Sequence, residues 1–318
     1  MVPLLSLLAQ GTPKSVIAQQ GDGIYSILRK QGLDPVEYYN AFLKLNEENL
    51  NEENALYAGR TYLLPLPLDT PDNMEDDEAA ADEAYYPIFG EDQAYVTPVS
   101  DKLQGTVYYL ISGHGGPDPG AVDEYRGTLI AEDEYAYDVT LRLAKELLSH
   151  GAQVFLIVRD EDDGIRDETV LETDHDEVVY PDRQIPLNQL ERLEQRVDAV
   201  NKLYLKHRDK YQRLLVLHVD SRNPRQNIDV FFYHHDKSTK GKQLAESLHN
   251  TFLKKYKRFQ PNRDYTGTFT DRSSLYMVKN TLAPMAYIEI GNLKNKKDQK
   301  RILNYENRQA VAKWLAEG

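Results

Sequence analysis

Three residues of this chain have side chains suited to reaction chemistry and stand where a fold could gather them: His114, His218 and Glu289. His114 lies in Ser112-Gly113-His114-Gly115-Gly116-Pro117-Asp118-Pro119-Gly120-Ala121. The glycines let the backbone fold tightly around a polar group, and Asp118-Pro119-Gly120 reads as a turn. His218 follows directly on the apolar run Leu214-Leu215-Val216-Leu217. Glu289 closes Met285-Ala286-Tyr287-Ile288, a run expected to be buried on both faces. A carboxylate there is costly unless it is paired or poised for reaction. Two imidazoles and one carboxylate, with a position left for water, make a catalytic zinc set, and the ion lowers the pKa of its water towards ~7. A second carboxylate, outside the coordination shell, must then move the proton. Acids at the start of the helix after the first strand add to the choice, and Glu132 and Glu134 compete there. On residue type alone, either His could equally be a hydrogen-bonded structural residue, and Glu289 a buried ion-pair partner.

Gathering residues so far apart in the chain requires a layered fold. Val107-Tyr108-Tyr109-Leu110-Ile111 is a continuous apolar run of strand length. Val139, Leu143 and Leu147 then recur at helical spacing, and Gly151 supplies a stop. Val154 to Val158 reads as the next strand, and Leu187 to Leu203 as a helix of some four turns. Strands follow at Leu214 to Leu217, Ile228 to Tyr233 and Met285 to Ile290. Helices carry Leu244, Leu248 and Phe252, and finally Val311, Trp314 and Leu315. This alternation predicts an α/β fold, a twisted and mostly parallel sheet with helices on both faces. In such sheets reactive residues collect past the carboxyl ends of the strands, where His114, His218 and Glu289 fall.

Composition divides the 318 residues into a short apolar N-terminal segment (1–14), a small domain (15–67), an acidic linker (68–103) and a larger domain (104–318). The linker contains Met74-Glu75-Asp76-Asp77-Glu78, which repels itself and buries little, although Tyr85-Tyr86-Pro87-Ile88-Phe89 could dock on a neighbour. A net charge of −13 argues against nucleic acid and against an anionic membrane surface. No run approaches the ~18 apolar residues that would span a membrane. Without cysteine, any metal must be held by His and carboxylates. The opening Val2-Pro3-Leu4-Leu5 reads either as a trimmed export signal or as a loose strand.

The catalytic stretch resembles the zinc-dependent N-acetylmuramoyl-L-alanine amidases of the bacterial cell wall. Four motifs match in order. Gly113-His114-Gly115-Gly116 with Asp118-Pro119-Gly120-Ala121 looks like the family's first metal-binding loop. Leu193, Arg196 and Asn201 match its next helix, and Leu217-His218-Val219-Asp220 its Ile-His-Ala-Asn type segment. Ile288-Glu289-Ile290-Gly291, with Leu293 and Asn295, is similar to the closing motif. The resemblance implies that His114, Glu132 and His218 bind Zn²⁺ and that Glu289 is general base and then acid. The bond cleaved would join N-acetylmuramic acid to the first L-alanine of the stem peptide. Counting from Glu132 puts the family's buried helix positions on Val139 and Leu143, whereas counting from Glu134 would bury Lys145, so Glu132 is preferred. Residues 15–67 resemble a LysM module, a small βααβ domain that binds glycans, through Gly21-Asp22-Gly23-Ile24-Tyr25-Ser26-Ile27, Leu45-Asn46 and Tyr57-Ala58-Gly59-Arg60-Thr61-Tyr62-Leu63-Leu64-Pro65. The expected partner is therefore peptidoglycan, glycan strand and stem peptide together, in a periplasmic or secreted cell-envelope setting that leaves room for a protein activator.

Departures from the family pattern bear on activity. Ile111-Ser112 stand where the family has Asp-Pro, so a carboxylate orienting a metal-bound imidazole must come from elsewhere. Asp220 replaces Asn, Val219 replaces Ala, and Asn292 an aromatic. Residues 160–186 form an acid-rich stretch longer than the family needs, read as a solvated loop or a lid, with His175 as a lesser ligand candidate. His234-His235 read as surface or substrate-groove residues. Two other functions fit the same residues: a metallo-peptidase acting within the stem peptide, and a peptidoglycan-binding regulator without turnover.

Overall fold

The computed structural model describes residues 14–19, 22, 24–31, 33, 35–50, 56–65 and 83–318. The apolar N-terminal segment, Gly21, Gly23 and the Met74–Glu78 acidic run lie outside them. The chain divides into two compact units, Met1–Ala80 and Ala81–Gly318.

The first unit runs β1 (Ser15–Ile17), α1 (Ile24–Lys30), α2 (Pro35–Asn46) and β2 (Thr61–Leu63). β1 pairs antiparallel with β2, Val16 opposite Tyr62. Ile24, Ile27 and Leu28 repeat at helical spacing and bury one face of α1 against Phe42 and Tyr62. Asn46 ends α2 and is buried; its amide exchanges two hydrogen bonds with the backbone of Leu63, at 2.9 and 2.7 Å, tying helix to strand. These bonds satisfy a polar side chain that would otherwise be costly to bury.

The second unit opens with a hairpin, β3 (Ala84–Tyr85) and β4 (Tyr95–Val96). Phe89 and Val96 are buried in its core, so residues 83–103 of the stretch read as linker pack on this unit. In chain order follow β5 (Thr106–Ser112), β6 (Val122–Tyr125), β7 (Thr128–Ala131), α3 (Glu132–Ser149), β8 (Gln153–Leu156), β9 (Val158–Arg159), β10 (Val178–Val179), β11 (Arg183–Gln184) and α4 (Gln189–Lys206). The chain continues through β12 (Tyr211–Asp220), β13 (Phe231–His234), α5 (Thr239–Phe259), β14 (Thr268–Asp271), α6 (Tyr276–Asn280), β15 (Met285–Asn292), α7 (Lys296–Leu303) and α8 (Tyr305–Glu317).

Six strands form the central sheet in the order β14-β13-β15-β12-β5-β8. β8, β5, β12 and β15 are mutually parallel, as the alternating pattern requires; β13 runs antiparallel to β15, and β14 follows β13. The two sheet faces are separately covered. α3, α5 and α8 pack Leu143, Phe252 and Leu315 against Leu110, Leu217 and Ile288. α4 and α6 pack Val200 and Val278 against Tyr109, Val216 and Met285 on the other side. Strands buried on both faces read as unbroken apolar runs, which is why β5, β12 and β15 were visible in the sequence.

Three details differ from the sequence reading. Ile228 to Val230, read as the start of a strand, is buried loop, with the Ile228 N–H bonded to the Asp298 carboxylate at 2.7 Å; the ladder begins at Phe231. The hairpin β6–β7 and the edge strand β14 were not anticipated, being short and largely exposed. The acid-rich stretch is partly regular, since β9, β10 and β11 form a small antiparallel sheet within it.

Candidate active site

The parallel strands deliver the reactive residues to one end of the sheet. His218 lies in β12 and Glu289 in β15, and the two are direct partners in the parallel register. The register between β12 and β15 then shifts between His218 and Asp220, which pairs with Asn292. β5 ends at Ser112 and releases the loop bearing His114. Glu132 is the first residue of α3, fed into place by the β6–β7 hairpin.

Donor atoms of His114, Glu132 and His218 all lie within 4.8 Å of one another. His218 Nδ1 is 2.9 Å from Glu132 Oε1, and His114 Nε2 is 3.4 Å from Glu132 Oε2. Backbone N–H groups of Val219 and Ala121 also donate to the two Glu132 oxygens, each at 2.9 Å, so the carboxylate is fixed in plane. Glu134, the competing acid, instead pairs with Arg166 at 2.9 Å. His175 bonds the Gly116 carbonyl, and His234 the carbonyl of His235; neither joins the group.

Two glycines of the first loop have a steric reason. A Cβ on Gly113 would collide with the His218 imidazole. A Cβ on Gly120, whose φ is +68°, would lie 2.6 Å from the His114 ring and 2.8 Å from Glu132 Oε2. His114 itself has φ +65°, a conformation that costs a non-glycine residue roughly 1 kcal/mol or more and must be held by its surroundings. Arg196, buried on α4, donates to the His114 carbonyl and supplies part of that hold.

Asp118 accounts for the missing Asp-Pro. Its Oδ2 lies 3.1 Å from His114 Nδ1 and 2.8 Å from Arg192, so the carboxylate orients the imidazole from four residues ahead. Nothing in the sequence alone placed Asp118 in that role; an acid at i+4 in a glycine loop faces the His only once the turn is formed. Tyr287 was likewise missed. Its ring stacks on His218 with centroids 4.6 Å apart and planes at 14°.

The electrostatics favour a cation. Burial lowers the His114 pKa, but hydrogen bonds to Asp118 and Glu132 outweigh it and raise it to about 10. Burial raises Glu132, yet hydrogen bonds from both histidines bring it below its ordinary value. Burial, then the charges of Glu132 and Asp220, push Glu289 well above the usual carboxylate range. Glu289 Oε2 is shut off from solvent and has no hydrogen-bond partner among the described residues. The group lines an open cleft of about 540 Å³ with Asp220 and Tyr287 in its walls. Two neutral-capable imidazoles and a carboxylate suit Zn²⁺, and they leave a face open to the cleft.

Residues 109–318 match the family model for N-acetylmuramoyl-L-alanine amidase. Among curated proteins none matches the sequence. Among solved structures the chain is similar to the CwlD amidase from Clostridioides difficile, determined in complex with the GerS lipoprotein, at 19% identity and a TM-score of 0.50; 67% of this chain and 95% of that one are covered. The N-acetylmuramoyl-L-alanine amidase AmiC2 of Nostoc punctiforme is 22% identical with a TM-score of 0.46, over 69% and 95% of the two chains. The catalytic domain of CwlV from Bacillus (Paenibacillus) polymyxa is 20% identical with a TM-score of 0.47, over 67% and 94%. The matched region begins within β5, contains β12 and β15 and every residue of the cleft described above, and on this match the chain belongs to the N-acetylmuramoyl-L-alanine amidase family, enzymes that hydrolyse peptidoglycan.

Proposed function

We propose that this amidase is a zinc hydrolase in which His114, Glu132 and His218 hold the ion and Glu289 carries the proton. The bond cleaved joins N-acetylmuramic acid to the L-alanine of the stem peptide. One observation carries the reading: three donor atoms converge within 4.8 Å while a carboxylate oxygen without a hydrogen-bond partner among the described residues stands on the adjacent strand, in register with one of them. Zinc bound there supplies Lewis-acid polarisation of the carbonyl and an acidified water. Glu289 takes the proton of the attacking water and returns it to the departing alanine nitrogen. Asp118 holds the His114 ring in one orientation, and Arg196 holds the loop beneath it.

Residues 15–67 act as a LysM-like glycan-binding module in this reading. The strand–helix–helix–strand order of the first unit, with its two strands paired, supports that assignment. Part of the 68–103 stretch then tethers module to enzyme. The substrate lies outside the cytoplasmic membrane, so the protein works in the cell envelope; no helix among the described residues is long and apolar enough to cross a membrane. That the CwlD amidase was determined in complex with a lipoprotein makes a protein partner part of the same reading.

The test is mass spectrometry of products from purified peptidoglycan. Free stem peptides with an N-terminal alanine are expected, lost on chelation and regained with zinc. Glu289→Gln should abolish release while keeping one bound zinc. Cuts between stem residues would make the protein a peptidase, and binding without release a regulator.

A further inference from the structure

The sheet face beside Glu289 carries residues that hydrolysis leaves unused. Tyr287 and Glu289 alternate onto one face of β15, and antiparallel β13 sets Tyr233 opposite Tyr287 and Phe231 opposite Glu289. The rings continue from the metal group as a shelf. His218 to Tyr287 is 4.6 Å, Tyr287 to Tyr233 6.2 Å, and Tyr233 to Phe231 6.4 Å. α4 and α6 cover the part of this face made by β5 and β12.

Two arginines roof the shelf. Arg222, two residues past β12, stands 5.3 Å over the Phe231 ring and donates to the Tyr233 hydroxyl at 2.8 Å. It also pairs with Asp220, which lines the cleft. Arg272, just past β14, lies 5.1 Å from the centre of the Tyr233 ring, is exposed, and has no carboxylate partner among the described residues. Tyr233 is only 4% exposed, whereas the Arg222 side chain keeps 34%. The cations, not the rings, therefore meet whatever enters. Stacking on an aromatic face fixes a guanidinium without consuming its N–H donors. Arg222 already spends two of its own on Asp220 and Tyr233, so Arg272 supplies the larger share of donors for a planar anion.

Arg272, a cation with no carboxylate partner among the described residues, names the charge of the occupant. The chain carries −13 overall, and Glu132, Asp220 and Glu289 crowd the cleft. An anionic group arriving there is repelled unless a cation receives it. Glu289 borders the shelf, and in the mechanism above it protonates the nitrogen of the departing half, so that half lies on the shelf side. We propose that Arg222 and Arg272, mounted on Phe231 and Tyr233, bind a carboxylate on the peptide half of the substrate. This rests on the amidase mechanism proposed above.

The experiment uses two synthetic N-acetylmuramoyl-dipeptides that differ only at the second residue, one ending in a free carboxylate and the other in a carboxamide. The full-length, zinc-loaded wild type and the variants Arg272→Gln and Arg222→Gln are assayed on both. Wild type should prefer the carboxylate. Each variant should lower the carboxylate-to-carboxamide ratio of kcat/KM by about tenfold, the size expected for one charge-assisted hydrogen bond, mainly through KM. Arg272→Lys should restore part of the preference. An unmoved ratio, or equal losses on both substrates, overturns the shelf as a carboxylate site. If wild type cleaves neither compound, the amidase mechanism falls and the shelf's role falls with it.

Discussion

At the scale of single residues, the site depends on atoms that are missing as much as on those present. Gly113 and Gly120 leave the spaces that the two imidazoles fill. Gly113→Ala should displace the His218 ring and weaken zinc binding at least tenfold, measured by competition with a chromogenic chelator, with the far-ultraviolet spectrum unchanged. Asp118→Asn keeps the shape but removes the charge facing His114 Nδ1. Loss of such an outer partner typically costs about 10–100-fold in metal affinity, and the same chelator assay should find it. His114, His218 and Glu289 were candidates because their types and strand-end positions are unusual, and Glu132 was preferred to Glu134 only through the family resemblance and its pattern of buried helix positions. The roles of Asp118, Arg196 and Tyr287 were not legible, although motif matching marked the first two, since each acts through a neighbour that only the folded loop or sheet brings near.

At the scale of elements, the acid-rich stretch between β9 and α4 is fastened to the site rather than free. Glu177 accepts the Gly116 N–H, His175 bonds the Gly116 carbonyl, and Asp174 donates its N–H to Glu134. Burial raises Asp160 to about 8 and Glu177 to about 7. The folded loop thus keeps protons that the unfolded chain releases near its ordinary carboxylate pKa. Stability of this stretch falls as pH climbs from there, and the loss is complete above about 8. Amide exchange in 160–177, corrected for intrinsic rates, should show weaker protection at pH 9 than at pH 6. Asp160→Asn should flatten the difference, because its side-chain oxygen can still accept from Asp162 and Asp163. A buried ionic junction ties α3 and α8 to the same stretch. Arg308 is 1% exposed and bonds Asp138 at 2.6 Å, together with the carbonyls of Arg166 and Glu168. Arg308→Ala should cost about 3 kcal/mol in urea unfolding, since the Asp138 carboxylate and the carbonyls lose a shared donor. The strands and helices of the core were readable from apolar runs and helical spacing. β14 and the small β9–β10–β11 sheet were not, because two to four residues of mixed polarity carry no period.

At the scale of the whole molecule, two compact units, Met1–Ala80 and Ala81–Gly318, share one chain. If the first unit holds glycan, a chain beginning at residue 83 should cleave soluble muramoyl-peptides within about threefold of the full-length rate. On insoluble sacculi it should lose up to about 10²-fold, because tethering acts only on a polymeric substrate. Side-by-side initial rates on the two substrates decide this, and equal losses on both would assign the first unit a purely structural part. Within the second unit, the register that sets His218 beside Glu289 has a consequence for how the enzyme fails. Those two ride on central strands joined along five consecutive residue pairs, while His114 hangs from a loop held by a few side-chain ties. If these residues hold zinc as proposed, gentle denaturation should free the ion first and melt the sheet later, so that inactivation and unfolding follow separate curves and a chilled, zinc-supplemented sample recovers activity from the early stage alone.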